Sequence, residues 1–172
     1  MWLCSGGRAH SAAEALALLG GGSLRLFQDL RLCVQNGWQP WVFLREWREM
    51  AEHAEWRGFL RDRELVGLSQ YHVAAVQCNA DVQALRNGGA QALVVLGARV
   101  QAALGQHDMV FDAWLRPDGR AELIELNPSG PCTDTALFDR TAPTLDGTLR
   151  WRGLQGLMSL PLALVQSAAT AL

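Results

Sequence analysis

Apolar residues recur along this chain with two periods, and the changes between them mark its elements. Trp2-Leu3-Cys4 ahead of Ser5-Gly6-Gly7 reads as a strand ending in a turn. Ser11 stands in N-cap position before a helical stretch to Leu19, Gly20-Gly21-Gly22 stops it, and Ser23 caps a second helix ending near Asn36-Gly37. Three strands are then expected at Trp41–Trp47, Glu55–Arg61 and Glu64–Gln70, the last two joined by a tight turn at Asp62-Arg63. Beyond Asp81, the residues Val82, Leu85, Leu93, Leu96, Val100 and Leu104 fall at helical spacing, divided at Asn87-Gly88-Gly89 and ended by Gly105.

A second hairpin joins Asp108–Leu115 to Ala121–Asn127 through Pro117-Asp118-Gly119, and Asn127-Pro128 takes the chain out of regular pairing. Thr133 or Asp134 is placed to cap a short helix through Phe138, and the Ala- and Leu-rich stretch after Arg152 reads as a weakly patterned helical tail. Hairpins rather than crossovers predict an α+β class, an antiparallel sheet packed with helices. Residues 1–152 are expected to form the domain and 153–172 its C-terminal tail.

The second hairpin concentrates the chemistry. A turn on Asp118-Gly119 sets position 117 opposite 120, which puts Asp112 opposite Glu125 and Val110 opposite Asn127. Asp112, Glu125 and Asn127 then share one face with Trp114 and Leu123, while Met109, Phe111, Ala113, Leu115, Ile124 and Leu126 form the face toward the long helix. A three-residue loop would break this register. Two opposed carboxylates repel by roughly 0.2–1 kcal/mol unless a cation lies between them. Oxygen donors without His or Cys suit Mg²⁺ or Mn²⁺, with substrate phosphates completing the shell. A solvated face with Glu125 paired to an arginine is the alternative.

Arg57 is the second candidate. Pairing of Arg61 with Glu64 places it among Glu55, Phe59, Val66, Leu68 and Gln70, a semi-apolar face on which a charge needs a partner. A triphosphate fits a planar guanidinium, and Glu55 or Asp112 would serve equally. Arg61 and Arg63 are expected to be solvated, and His10, His53, His72 and His107 lack the spacing of a metal pair or a triad.

Composition narrows the classes. In 172 residues with 49% hydrophobic content there is apolar mass for a core, and a net charge of −2 gives no basic field for nucleic acid. All 15 basic side chains are arginine, which excludes a Walker A lysine, a Schiff base and a lysine general base. Cys4, Cys33, Cys78 and Cys132 form no Cys-x-x-Cys pair and read as free thiols of a cytoplasmic protein. No stretch approaches the roughly 20 apolar residues of a membrane span, so no membrane partner is expected.

Four blocks carry a family resemblance in order: Leu44-Arg45-Glu46-Trp47, Glu55-Trp56-Arg57-Gly58-Phe59, Glu64 to Tyr71, and Glu125-Leu126-Asn127-Pro128 with Gly130-Pro131, Thr133-Asp134 and Leu137-Phe138. Over residues 2–152 the chain resembles the cell division cycle protein 123 family. The resemblance implies an ATP-grasp fold, ATP bound with Mg²⁺, and, for eukaryotic members, assistance in assembling translation initiation factor 2. It implies metal binding at Glu125 and Asn127 with Asp112 as the neighbouring acid, a nucleotide-pocket role for Arg57, and adenine- and ribose-side contacts from Arg45, Glu46 and Trp47.

The family's N-terminal lobe and its phosphate-reaching lysine are expected to lack a counterpart here, and a second family lysine is expected to fall near Cys4. The expectation is therefore the C-terminal, metal-bearing portion of the fold, with arginines such as Arg8 or a partner in place of the missing grip. If the chain is an enzyme, the implied reaction is ATP-dependent ligation of a carboxylate to an amine. The alternatives are a non-catalytic module for binding or assembly, with a nucleotide and a protein as its partners, and a truncated, degenerate domain.

Overall fold

The computed structural model describes residues 8–21, 24–105, 108–130, 133–139 and 145–169. The chain divides into two compact units, Met1–Glu49 and Met50–Leu172. The expected strand at Trp2–Cys4 and the cap at Ser23 lie outside the described residues, as do Cys4, His107 and Cys132.

In the first unit, α1 spans Ala12–Gly20, and its first turn is closed as expected by the Ser11 hydroxyl, which accepts from the Glu14 amide at 3.1 Å. Helix α2 spans Leu24–Asn36 and stops at Gly37, whose φ of +65° is left-handed. The strand expected at Trp41–Trp47 does not form. Residues 38–51 are irregular, with Trp41, Val42, Phe43 and Leu44 exposed. An apolar run becomes a strand only where another strand offers a ladder, and this segment pairs with none among the described residues.

The second unit is built on one six-stranded sheet. Its strands are β1 (Glu55–Arg61), β2 (Glu64–Gln70), β3 (Met109–Leu115), β4 (Ala121–Pro128), β5 (Thr148–Gly153) and β6 (Gly156–Pro161), in the order β4-β3-β1-β2-β5-β6. The sheet is mixed rather than antiparallel throughout, because β2 and β5 run parallel. The β1–β2 turn falls at Asp62-Arg63 as expected, both with positive φ, as the right-handed twist of a two-residue hairpin demands.

Helices cover one face. The segment expected after Asp81 becomes α3 (Asn79–Ala84), a wide turn at Leu85–Gly89 where Gly88 takes φ +127°, and α4 (Ala90–Leu104), ended by left-handed Gly105. Leu93, Leu96 and Val100 of α4 pack with Trp56, Leu60, Leu68, Phe111, Leu149 and Trp151 of the sheet. Phe111 fits because its neighbours are glycines: a Cβ on Gly58 would lie 2.2 Å from the Phe111 ring, and one on Gly97 3.2 Å.

Residues 153–172, expected as a tail, contain β6 and helix α5 (Leu162–Ala169), whose Leu162 and Val165 belong to the same core. Thr148–Gly153 alternates fully buried and half-buried positions, a period-2 signal between Leu149 and Trp151 that the sequence does carry. The helix expected from Thr133 to Phe138 is instead a pair of turns held by side chains, with the Asp134 carboxylate accepting from the Ala136 amide at 2.9 Å and the Thr135 hydroxyl donating to the Phe138 carbonyl at 2.9 Å.

Candidate functional site

The sheet face turned away from α4 carries the polar residues. Along β1 the alternation puts Glu55, Arg57, Phe59 and Arg61 on it, since β1 itself carries no extra residue. The pair Arg61 and Glu64 is opposed as expected, but β2 bulges beyond Phe59, so Arg57 faces Ser69 and Phe59 faces Gly67. Leu68 is thus buried on the helix side, in the core. Arg57 does not stand beside it as the simple register implied.

Arg57 is bonded to Asp112, its direct partner across β1 and β3. Its Nε donates to Asp112 Oδ1 and its Nη2 to Oδ2, both at 2.7 Å, while Nη1 donates to the Asp134 carbonyl at 2.9 Å. The guanidinium also lies 4.5 Å from the centroid of the Tyr71 ring. Arg57 is 4% exposed and Asp112 1%. Burial works against the Arg57 charge, but the hydrogen bonds and field of Asp112 outweigh it and hold the group above its ordinary value. Of the partners open to Arg57 on sequence grounds, the structure supplies Asp112.

Asp112, Glu125 and Asn127 do converge. Asp112 opposes Glu125 and Val110 opposes Asn127. The route is not the expected one: the Arg116 amide donates to the Arg120 carbonyl and Gly119 takes φ +81°, so the loop is the three-residue kind and Leu115 pairs with Ala121. A register shift after Asp112 then inserts Ile124 and restores the pairing of the acids. The bulge also turns Leu123 to the helix side, where it packs on the core beside Met109 and Leu115. The expected place of Leu123 on the acidic face is corrected accordingly, whereas Leu126, opposite Phe111, keeps the helix-side face and is exposed on the edge strand.

The Asn127 side-chain amide donates to Asp112 Oδ2 at 3.0 Å and to Glu125 Oε1 at 3.1 Å. Arg57 and this amide together neutralise the repulsion between the two acids. Glu125 is exposed at the outer end of the row, and Asp112 lies behind Asn127. Rotating the Asn127 amide by a half turn would present its oxygen beside Glu125, since nitrogen and oxygen occupy nearly the same volume. A donor set of two carboxylates and one amide oxygen suits a hard divalent cation. Among the described residues there is no cluster of three His, Cys, Asp or Glu side chains with metal-binding spacing.

Residues 134–138 cross this face as a strap. Arg57 holds the Asp134 carbonyl, the Ser69 hydroxyl accepts from the Leu137 amide at 3.0 Å, and Arg150 Nη1 donates to the Leu137 carbonyl at 3.3 Å. Phe138 anchors the end, meeting Phe59 edge to face at 5.4 Å, with Val110 in the same small cluster and Gly67 leaving the space its ring needs. Arg150 stacks over the Phe138 ring at 4.3 Å and is itself fixed by Asp146 at 2.6 Å. The Thr148 hydroxyl and Arg150 hold the Asp146 carboxyl below the usual range.

Beside Arg57, Glu55 accepts a 2.9 Å bond from the His72 ring. Burial raises the Glu55 carboxyl above its ordinary value, the imidazole opposes this, and the fields of Asp112 and Glu125 add to the rise. At the other end of the face, Phe59, Val110, Leu145, Arg61, Thr133 and Thr135 line a cavity of about 400 Å³.

The structure thus brings Arg57, Asp112, Glu125 and Asn127 together, while Arg45, Glu46 and Trp47 belong to the irregular stretch of the first unit. There, Arg48 pairs with Glu46 at 2.7 Å and Arg8 lies 5.8 Å from the Trp47 ring. The sequence reading missed the strap-holding parts played by Ser69 and Arg150 and the stacking of Tyr71. Only Arg150 had a signal, as a polar position in the alternating β5 stretch.

Comparison with known proteins places this architecture. The D123 family model matches residues 28–144, more than half of the chain. The chain belongs to the D123 family. It is 31% identical over 99 residues to the translation initiation factor eIF2 assembly protein of Xenopus laevis, covering 56% of this chain and 28% of that protein. The corresponding protein of Danio rerio is 26% identical over 104 residues, again covering 28% of its length. The chain therefore spans less than a third of the curated relatives it matches. The solved structure of C-terminally truncated Cdc123 from Schizosaccharomyces pombe superposes with a TM-score of 0.63 at 24% identity, over 81% of this chain and 58% of that one. That likeness establishes the α+β fold with its mixed sheet. Among the described residues, no helix is long and apolar enough to cross a membrane.

Proposed function

We propose that this chain is a cytoplasmic protein-binding module of the assembly type, whose partner is translation initiation factor eIF2 or one of its subunits, the client for which its relatives are named. The observation that carries the reading is the state of Arg57. In an ATP-dependent ligase this cation would be directed at a transferring phosphoryl group. Here its donors go to Asp112 and to the Asp134 carbonyl, and its face to Tyr71. Its charge holds the acidic row and the strap in place, as a recognition surface requires. The test is capture of purified eIF2 subunits, one at a time, by the immobilised full chain. Saturable binding of one subunit supports the reading, and no binding to any of them overturns it.

A second reading is favoured by the exposed Glu125 beside Asn127: an ATP-grasp-like site in which Glu125, Asn127 and Asp112 hold Mg²⁺ and the ion supplies positive charge to nucleotide phosphates. In that role the protein's own part is to orient the oxygen donors, with Arg57 positioning Asp112 rather than touching the phosphates. Calorimetry with ATP, with and without Mg²⁺, tests it. Metal-dependent heat supports nucleotide binding as an adjunct to assembly, and no heat at millimolar ATP removes both this site and any ligase activity.

A further inference from the structure

Arg57 and Arg61 share one face of β1, four residues and about 13 Å apart at the strand's rise of roughly 3.3 Å per residue. The first is saturated by Asp112. The second is exposed, as expected, and its side chain makes no ion pair or hydrogen bond among the described residues, although Glu64 stands opposite it. Arg61 instead stands at the cavity of about 400 Å³, a volume at the small end of ligand sites.

The lining has three chemical parts. Phe59, Met109, Val110 and Leu145 are apolar. Thr133 and Thr135 have committed their hydroxyl protons to the carbonyls of Pro128, at 2.6 Å, and Phe138, at 2.9 Å, so their oxygens remain to the cavity only as acceptors. Arg61 is a permanent cation and a donor only. A neutral apolar molecule would leave the cation and the acceptors to water. A simple carboxylate would satisfy Arg61 and be repelled by the threonine oxygens. An occupant carrying an anion and a donor on an apolar body satisfies all three.

We propose that this cavity binds a free amino acid with an apolar side chain of the size of leucine. Its carboxylate meets Arg61, its ammonium meets Thr133 and Thr135, and its side chain rests on Phe59, Val110 and Leu145. Val110 pairs directly with Asn127, so the occupant would sit next to the acidic row without sharing its ligands.

The test is an amide ¹H–¹⁵N titration of the full chain with L-leucine, repeated with leucinamide, which lacks the carboxylate, and with isocaproate, which lacks the ammonium. The expected result is saturable shifts centred on Val110, Gly130, Thr133 and Thr135, with both analogues at least tenfold weaker. Arg61→Gln should weaken leucine about tenfold while the rest of the spectrum is unchanged, and Arg61→Lys should recover part of the loss. Thr135→Val should weaken leucine and leave isocaproate unaffected. No saturable shift, equal binding of leucinamide, or full affinity in Arg61→Gln would each overturn the proposal. Capture of eIF2 by Arg61→Gln, measured in parallel, reports on the assembly reading separately.

Discussion

The guanidinium of Arg57 and the carboxylate of Asp112 meet fork to fork, both contacts at 2.7 Å, between residues directly opposed on β1 and β3. Both are buried, so each depends on the other for its charge to be tolerated. Asp112→Ala strands the arginine and should cost about 3–5 kcal/mol of unfolding free energy in urea. Arg57→Met with Asp112→Leu removes both charges at similar volume and should regain most of that loss. A double variant as unstable as Asp112→Ala would show that the pair is not the source of the cost.

Glu125 occupies the exposed end of the same row, bonded to Asn127. Glu125→Gln keeps an oxygen and the shape, so its stability should stay within about 0.5 kcal/mol of the parent. Any Mg²⁺ dependence of ATP binding should fall by tenfold or more in calorimetry. Unchanged metal dependence would place the ion elsewhere.

Phe138 fastens the strap between Phe59, Val110 and Gly67. Phe138→Ala should cost about 3–4 kcal/mol, the range for losing a buried aromatic ring. It should also raise hydrogen exchange at Leu137, whose amide is bonded to Ser69, far more than at α4. Equal changes at both places would mean that the strap is not a separate local unit.

Gly58 lies under the Phe111 ring, and an added methyl would come to 2.2 Å of it. Gly58→Ala should destabilise by about 1–3 kcal/mol through overpacking, and Phe111→Leu introduced with it should return part of the loss. Thermal melts of the single and double variants decide the point.

Glu55 holds its proton to higher pH in the folded chain than in the unfolded one, because burial outweighs its bond to His72. Its contribution to stability is therefore present in full below the ordinary carboxylate value and is lost as pH rises through the raised one. Glu55→Gln should gain stability relative to the parent as pH climbs from about 4 to about 7, measured by urea unfolding. A difference that is flat with pH would show the carboxyl to be unperturbed.

Local signals were legible where the chemistry is local. The Ser11 cap, the paired positive-φ turn at Asp62-Arg63, the break at Asn87–Gly89 and the left-handed stop at Gly105 each follow from a few neighbouring residues. The strand at Trp41–Trp47 failed because its apolar pattern called for a partner that nearby sequence cannot name. The convergence of Asp112, Glu125 and Asn127 was also legible, although through two offsetting shifts, a three-residue loop and a bulge at Ile124.

Local patterning is enough to specify the α+β class, the two hairpins, the long helix and which acids share a face. These depend on periodicity and turn chemistry over a dozen residues or fewer. Tertiary structure alone decided that β5 joins β2 in parallel, that Asp112 answers Arg57, and that Ser69, Arg57 and Arg150 tie residues 134–138 across the sheet. Those outcomes join groups as many as 81 positions apart, as Ser69 and Arg150 are. No local period encodes such a pairing, and it is settled only when burial forces each polar group to find a partner.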